Sequence, residues 1–507
     1  MSFTQTHPKY DEFRQEWQML RDSYKGDAAI KRAGATYLPP TPGHIIDGMT
    51  SSSEAGYIAY EAYKLRAVYP DFFRQGVATI IGILNAKETT IILPPAMEYL
   101  RENASIQGEG LASILRKVHE EQLITGRVGL LADMSENPDQ VTPKVYIQLY
   151  EAESIVNWDD GSFNQGFNTL NLVLLNESGY QRTNSFSWEL VDKYRVLSLG
   201  AIAENEPIGT YHVEVFEDGG LSNSVSQVSP MLRGRSLQEI PFVFIGPKDL
   251  NPNPDEPPLM GLARMCLTLY RGEADYRHTL FMQAQDTLVI VGGTKGDNTG
   301  STLRVGAGAR IDVEMGGDVK YIGIGSGGLP EQRLSLEADR NQAAVRTGQL
   351  LAPGKMSMES GEALKTRIAA QTATLTSVAI AAAQGLQRML RIIARWHGVD
   401  ETVVKVIPNL DFTNVSIKGQ DLVQLVTAKN SGYPLSYKTL FDIAADRGLT
   451  NNTFEEEVAL IESDPQILTE KAAALLAPPS GNNPIGAAGG PQKTLVNVTP
   501  PSNVPKN

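Results

Sequence analysis

The sequence predicts a multidomain α+β protein, and three observations carry that prediction. Helical periodicity in the first hundred residues gives way to strand-length runs separated by Asn/Gly/Asp/Ser clusters. A proline barrier, Asn251–Pro258, divides this half from a stretch of long helical patterns. The length, 507 residues, corresponds to about three domains at roughly 100–200 residues each.

Composition narrows the function classes. Lys and Arg number 45 against 58 Asp and Glu, a formal charge of −13. A chain this acidic does not grip phosphates over its whole surface, so any dealing with DNA would be transit or gating. The single cysteine, Cys266, excludes an intramolecular disulfide framework and a cysteine zinc cluster, and points to a reducing cytosol. The first thirty residues are charged throughout, and the longest apolar runs, Val77–Leu84 and Ala379–Ala383, fall far short of the roughly 20 residues of a membrane helix. A soluble chain without a membrane span is the expectation.

Taken in order, Phe13, Trp17, Leu20 and Tyr24 space an amphipathic helix that Gly26 ends. A Pro/Gly loop, Leu38–Gly43, leads into one helical stretch from Ser52 to Asn85, and a third helix runs from Gly110 to Thr125. The strand candidates are Val128–Asp133, Lys144–Tyr150, Leu170–Leu175, Trp188–Leu197, Tyr211–Phe216 and Pro241–Ile245, mostly antiparallel to judge by turns such as Asp159–Gly161 and Glu217–Gly220.

After the proline barrier, Leu259, Leu262, Cys266, Leu269, Tyr276 and Leu280 mark a helix of roughly 27 residues, about 40 Å long. It ends in the strand Thr287–Val291 and a glycine-rich stretch with three more strand candidates, Ser301–Val305, Ala309–Val313 and Val319–Ile324. A second, charged helix opens at Leu329-Pro330 and runs to about Leu351, where Pro353-Gly354 breaks it. In the third long helix, Gly361–Trp396, the residues Leu364, Ile368, Gln371, Leu375, Val378 and Ala382 recur at four-three steps, the seam of helices packed nearly parallel. Thr402–Ile407 and Phe412–Ile417 read as strands, and 419–463 as a small helical module with Gly448 suited to a helix C-terminus. The tail from Ala477, rich in Pro, Gly, Asn and Ser, cannot bury a core.

Motifs for chemistry are absent. The six histidines, His7, His44, His119, His212, His278 and His397, are scattered, and His119–Leu123 lacks the second histidine of a zinc protease helix. There is no phosphate-binding P-loop and no G-x-S-x-G elbow. Gly306–Gly308 and Gly323–Gly328 stand outside any βαβ unit, so hairpin turns account for them better than dinucleotide binding. The pairs Asp159/Asp160 and Glu151/Glu153 could hold a metal or act as acid and base, but read more simply as solvated turns. The expectation is a non-enzyme with no cofactor and no metal. The charges on the long helices, Arg264, Arg271, Glu273, Asp275 and Arg277 on the first and Glu331, Arg333, Glu337, Asp339, Arg340 and Arg346 on the next, mix both signs. They suit either ordinary solvated faces or helices standing side by side around a channel.

The order of these pieces resembles a tailed-bacteriophage portal protein, through a portal-like phage family carried as a domain of unknown function. The residues that carry the resemblance are His7–Tyr10 with Trp17–Asp22, Tyr60–Tyr69, Thr125–Leu131, Tyr150–Trp158, Glu239–Phe244, Pro257–Met260 with Tyr270–Tyr276, Gln349–Pro353 and Glu359–Leu364. Together with the helical module after Gly419 they span about residues 7 to 470.

The resemblance implies a portal-type subunit in a cyclic ring of about twelve copies. It implies an α+β wing at 1–257, a first stem helix at 258–286, a β-rich clip at 287–329, and a second stem helix at 330–351. A tunnel loop and long helix would take 352–400, wing strands 401–418, a helical crown 419–470, and a disordered tail 471–507. Lys355, Met356, Ser357, Met358 and Glu359 would form the channel constriction, although the same segment suits a plain helix connection. Arg264, Arg271, Arg277, Glu337, Arg340 and Arg346 would line the stem, and Lys295, Arg304, Arg310 and Lys320 would sit on the clip. The glycine-rich clip departs from the family pattern in having no helix between its strands. The implied partners are double-stranded DNA in transit, the terminase, the head-tail adaptor and the major capsid protein. The implied location is the capsid vertex of a virion assembled in the host bacterial cytoplasm. Two other readings stay open: a different head-tail connector or minor capsid protein, and a soluble cytoplasmic hydrolase.

Overall fold

The computed structural model describes residues 5–134, 145–159, 170–200, 209–217, 226–232, 235–283, 287–291, 315–322, 328–349, 361–410, 412, 426–427, 429, 431–434, 436–445, 450 and 452–463. The chain divides into two compact units, Met1–Phe412 and Thr413–Asn507.

The first helix, Pro8–Lys25, begins where the His7 side chain accepts from the Lys9 backbone N–H. Its fully buried Trp17 donates from Nε1 to the carbonyl of Thr125 at 2.9 Å, tying the helix to the end of Leu111–Ile124. Gly26 ends it at φ +85°, a left-handed backbone that favours glycine, and opens Asp27–Ala33. The Pro/Gly loop expected at Leu38–Gly43 closes in a short helix, Pro42–Ile46, with a reciprocal Thr41/His44 cap. The single helical stretch expected over Ser52–Asn85 is two helices, Ala55–Arg66 and Phe72–Leu84. Pro70 explains the break: it pushes Tyr69 out of helical space, and the Tyr69 N–H turns to Asp27 Oδ1 at 3.2 Å.

Two antiparallel sheets follow. Val128–Met134 is the centre of one, flanked by Phe242–Ile245 and Val145–Glu151. Gly129 makes room there for the Phe242 ring, which a Cβ would overlap. The other sheet has the order Ser226–Val228, Thr210–Glu217, Lys193–Gly200, Leu172–Asn176, Ile155–Trp158. The strand expected over Trp188–Leu197 is broken at Asp192 into Trp188–Val191 and Lys193–Gly200; the first pairs with Gly179–Arg182 and carries the hairpin beyond the sheet.

The longest helix, Gly361–His397, links the two main cores. Its Leu375, Val378 and Ala379 pack with Phe73, Val77, Ile80, Cys266 and Tyr270. One stretch further on, Ala382, Leu386, Met389, Leu390 and Ile393 pack with both sheets. Gly385 lets Ile245 press against the helix. The strand expected at Thr402–Ile407 is a turn, Glu401–Val403, followed by Lys405–Ile407, which pairs with Thr90–Ile92. Of Phe412–Ile417 only Phe412 falls within the described residues.

The remaining long helices are Met260–Gln283 and Leu329–Gln349, 24 and 21 residues, about 36 and 32 Å. Strands Thr287–Val291 and Asp318–Ile322, which pair antiparallel, stand between them in the chain. The helices meet through Leu262, Leu269 and Ala343, with Leu336 against Gly272, where a Cβ would stand 2.9 Å from Leu336 Cδ2. The strands expected at Ser301–Val305 and Ala309–Val313 lie outside the described residues, as do Gly448 and the tail. In the second unit, Tyr437–Ala445 and Phe454–Ser463 are helices joined by an edge-on contact of Phe441 and Phe454, ring centroids 5.4 Å apart.

Candidate functional site: the paired long helices

Seven residues separate Arg264 from Arg271 and four more reach Asp275, so all three share one face of Met260–Gln283. Each is tied to the N-terminal helices or the loop beside them. Arg264 pairs with Glu16 at 2.7 Å, the Arg271 Nε donates to the Tyr37 carbonyl at 2.8 Å, and the Tyr63 hydroxyl donates to Asp275 at 2.5 Å. A cleft of 860 Å³, lined by Arg14, Glu16, Arg264 and Arg271 among others, runs along this face.

The other face turns to Leu329–Gln349. Glu273, whose side chain is 9% exposed, accepts at the same Oε1 from Arg277 at 3.1 Å and from Arg340 at 3.0 Å. The six stem candidates therefore fall into three groups. Arg264 and Arg271 border the N-terminal cleft, Arg277 and Arg340 clamp the seam, and Glu337 and Arg346 are exposed on the second helix. Gly261 sits close beneath Arg346, 3.3 Å from Nη1 for an added Cβ.

Burial on Leu329–Gln349 is one-sided. Between Glu331 and Arg346 only Ala343 is buried, Leu336 and Asp339 are half-buried, and every other side chain is exposed, including Leu334 and Val345. A helix covered along a single stripe gains little from its own chain.

On the strand pair, Lys320 is exposed and bonded to Asp318 at 2.8 Å, which holds the Asp318 carboxyl below and the Lys320 ammonium above their ordinary ranges. Lys295, Arg304 and Arg310, and the constriction candidates Lys355, Met356, Ser357, Met358 and Glu359, lie outside the described residues.

Three clusters escape the sequence reading. Arg21 holds Glu121 and Glu153 at 2.8 Å each and Glu151 at 3.4 Å, beside a cleft of 770 Å³. Burial, with the neighbouring Glu151 and Glu153 adding to it, pushes Glu121 up to about 7. The Glu151/Glu153 pair was visible in the sequence; its meeting with Arg21, more than a hundred residues earlier, was not. His44 and His278 approach with ring centroids 6.1 Å apart around Tyr63, and burial lowers both. Arg127 is buried between the rings of Trp158 and Phe244, at 3.7 and 4.6 Å.

Burial takes His119 down to about 4 and Cys266 up to about 11, so the thiol is not an activated nucleophile. Among the described residues no group of three His, Cys, Asp or Glu is arranged to hold a metal. Among them, too, no helix is long and apolar enough to cross a membrane.

The family described as a domain of unknown function (DUF4055) matches residues 258–397, the stretch that holds all three long helices. No curated protein matches the chain. Among solved structures, similar chains occur in the virion of a native gene transfer agent particle, at 15% identity over 81% of this chain and 99% of that one, TM-score 0.37. Others occur in the neck of the empty particle computed with C6 symmetry, at 15% identity over 76% of this chain and 96% of that one, TM-score 0.34, and in the neck of the native particle computed with C12 symmetry, at 14% identity over 76% and 90%, TM-score 0.35.

Proposed function

We propose that the chain is the portal subunit of a tailed phage, one copy in a cyclic ring at a capsid vertex through which double-stranded DNA is packaged and later ejected. The observation that carries this reading is the helix–strand pair–helix unit of Met260–Gln283 and Leu329–Gln349, whose second helix is bare on all but one stripe. Such a helix is suited to stand beside the same helix of further copies, and a contact between different faces that closes by rotation makes a ring. The order of the sequence motifs supports the same reading.

In this reading the mechanism is passive in chemistry. ATP hydrolysis belongs to a separate terminase, which docks at the clip and is replaced by the head-tail adaptor, while the wing meets the major capsid protein. The chain contributes a conduit whose width and charge govern passage. Its −13 charge favours sliding, because tight phosphate contacts would act as brakes. Negative-stain imaging and native mass of the purified full chain test the proposal. Annular particles with a central hole and a mass near twelve chains support it, and a compact particle without a hole, fixed at two copies, refutes it.

A further inference from the structure

Arg127 stands directly before Val128–Met134, the central strand of the three-stranded sheet, and is buried at 1% exposure. Its guanidinium lies 3.7 Å from the centre of the Trp158 ring, on Ile155–Trp158 of the five-stranded sheet, and 4.6 Å from that of Phe244, on Phe242–Ile245. The junction of the two sheets therefore holds a positive charge against two aromatic rings. The His7 ring stacks on Trp158 with centroids 3.9 Å apart, and the His7 N–H donates to the Val156 carbonyl at 3.0 Å, so the indole is held in place.

What the guanidinium lacks is an acceptor. Among the described residues none accepts from Nε, Nη1 or Nη2. Burial pushes its titration well below the ordinary range, and no neighbouring acid among those residues opposes the shift. A guanidinium nevertheless keeps its proton. The Trp158 Nε1, on the ring that the guanidinium touches, is a second buried donor without an acceptor. Asp255, whose carbonyl packs on Gly126, does not supply one: its carboxylate is turned to Gly246, with Oδ2 2.7 Å from where a Gly246 Cβ would stand.

Contact with two rings offsets only part of the hydration that a buried cation loses. Such a charge is tolerated when a counter-charge and hydrogen bonds accompany it. The unsatisfied atoms of this pair are all donors, so a ligand that only accepts fits them. A monovalent ion neutralises the one charge of Arg127, whereas a phosphate would bring more oxygens than these donors can satisfy. Burial at 1% leaves no approach for a peptide or nucleic-acid segment. Phe244 also lines a cleft of 460 Å³ with Asn251, Asn253 and Arg388, which sets solvent beside the residue that covers the guanidinium, so a small ion has little chain to cross.

We propose that Arg127 and the Trp158 indole N–H form a buried site for a small monovalent anion of the halide class. The ion accepts from both donors, neutralises the guanidinium, and ties the start of the central strand of one sheet to the end strand of the other. The site lies within one unit and does not rest on the ring.

The test uses the full chain at a concentration where native mass shows one oligomeric state, in chloride with gluconate holding the ionic strength constant. A ligand that binds only the folded state lowers the unfolding constant by the factor 1 + [L]/Kd, so with a Kd of about 20 mM, chloride raised from about 10 to about 300 mM lowers it about tenfold. Arg127→Met replaces the charge with an apolar side chain and should lose that dependence. Trp158→Phe keeps a ring but removes the donor, and should move the half-saturating chloride concentration upward. Crystals grown in bromide should show an anomalous peak at hydrogen-bond distance from the Arg127 nitrogens and the Trp158 Nε1. A wild type whose unfolding follows ionic strength alone, or an Arg127→Met variant as chloride-sensitive as the wild type, overturns the site. Bromide peaks at other positions only, or density for water or the Asp255 carboxylate on the guanidinium, overturn it as well. If Arg127→Met does not fold, Trp158→Phe and the bromide peak decide the matter.

Discussion

The seam between the two long helices makes a non-additive prediction. Glu273 is the buried member, with 9% of its side chain exposed, and one of its oxygens is shared by Arg277 and Arg340, which are 44% and 50% exposed. Removing either arginine leaves the other in place, so Arg277→Leu or Arg340→Leu alone should cost about 0.5–1 kcal/mol, the scale of a half-exposed pair. Removing both strands a carboxylate in a buried site, which costs about 3–5 kcal/mol when one side of a buried pair is lost. The double variant should therefore exceed the sum of the singles by about 2 kcal/mol or more. Adding Glu273→Leu to the double variant should recover most of that loss, because no uncompensated charge remains and the arginines' former places face water. Denaturant unfolding of the four variants, at a concentration where the wild type keeps one oligomeric state, reads these differences directly. A double variant equal to the sum of its singles, or a triple variant no more stable than the double, would refute the shared-carboxylate account of the seam.

Glu121 gives a pH-dependent counterpart. Its folded value of about 7 stands above the ordinary 4.5, so between those pH values the folded state keeps a proton that the unfolded state has released. Stability from this group is fully present below about pH 4.5 and is lost as pH rises through 7, by about 3 kcal/mol at most. Glu121→Gln should flatten that part of a stability–pH profile, and an unchanged slope would count against the burial. Val378→Asp puts a charge where the side chain has no exposure, and should cost more than about 4 kcal/mol, read as insoluble or unassembled protein. Gly129→Ala drives a Cβ into the Phe242 ring and should lower stability by about 1–3 kcal/mol, checked by thermal unfolding.

What the sequence revealed and what it hid divide along physical lines. Trp17, Leu20 and the Leu259–Leu280 pattern placed their helices within a few residues, because one apolar face against one core leaves a period of 3.6. Strand-length apolar runs bounded by turn residues located Val128–Met134, Thr210–Glu217 and Phe242–Ile245. Pro70 was in plain view, yet the apolar run on either side of it masked the break between Arg66 and Phe72. Thr90–Ile92 is three residues long and exists through its pairing with Lys405–Ile407, more than three hundred residues away, which no local pattern records. The charged residues were harder still. Arg264, Arg277 and Arg340 look alike in a helix sequence, but their partners Glu16 and Glu273 are set by tertiary packing alone.

That packing bears on which charges are free to meet anything passing along the helices. Arg264 and Arg271 are committed to the N-terminal region, and Arg277 and Arg340 to Glu273, so four of the six stem candidates have structural duties. On Leu329–Gln349, Glu331, Arg333, Glu337, Arg340 and Arg346 are exposed, two acids and three bases on one helix, with Arg340 bonded to Glu273. In the proposed ring, a surface of mixed signs at this spacing presents no continuous cationic track. Affinity for DNA grows with each phosphate that a Lys or Arg neutralises, so a few arginines interspersed with glutamates would hold a duplex weakly and release it readily. The seam clamp fixes the pair of helices by holding Arg277 and Arg340 on one buried carboxylate, and it leaves a net charge of +1 half in solvent.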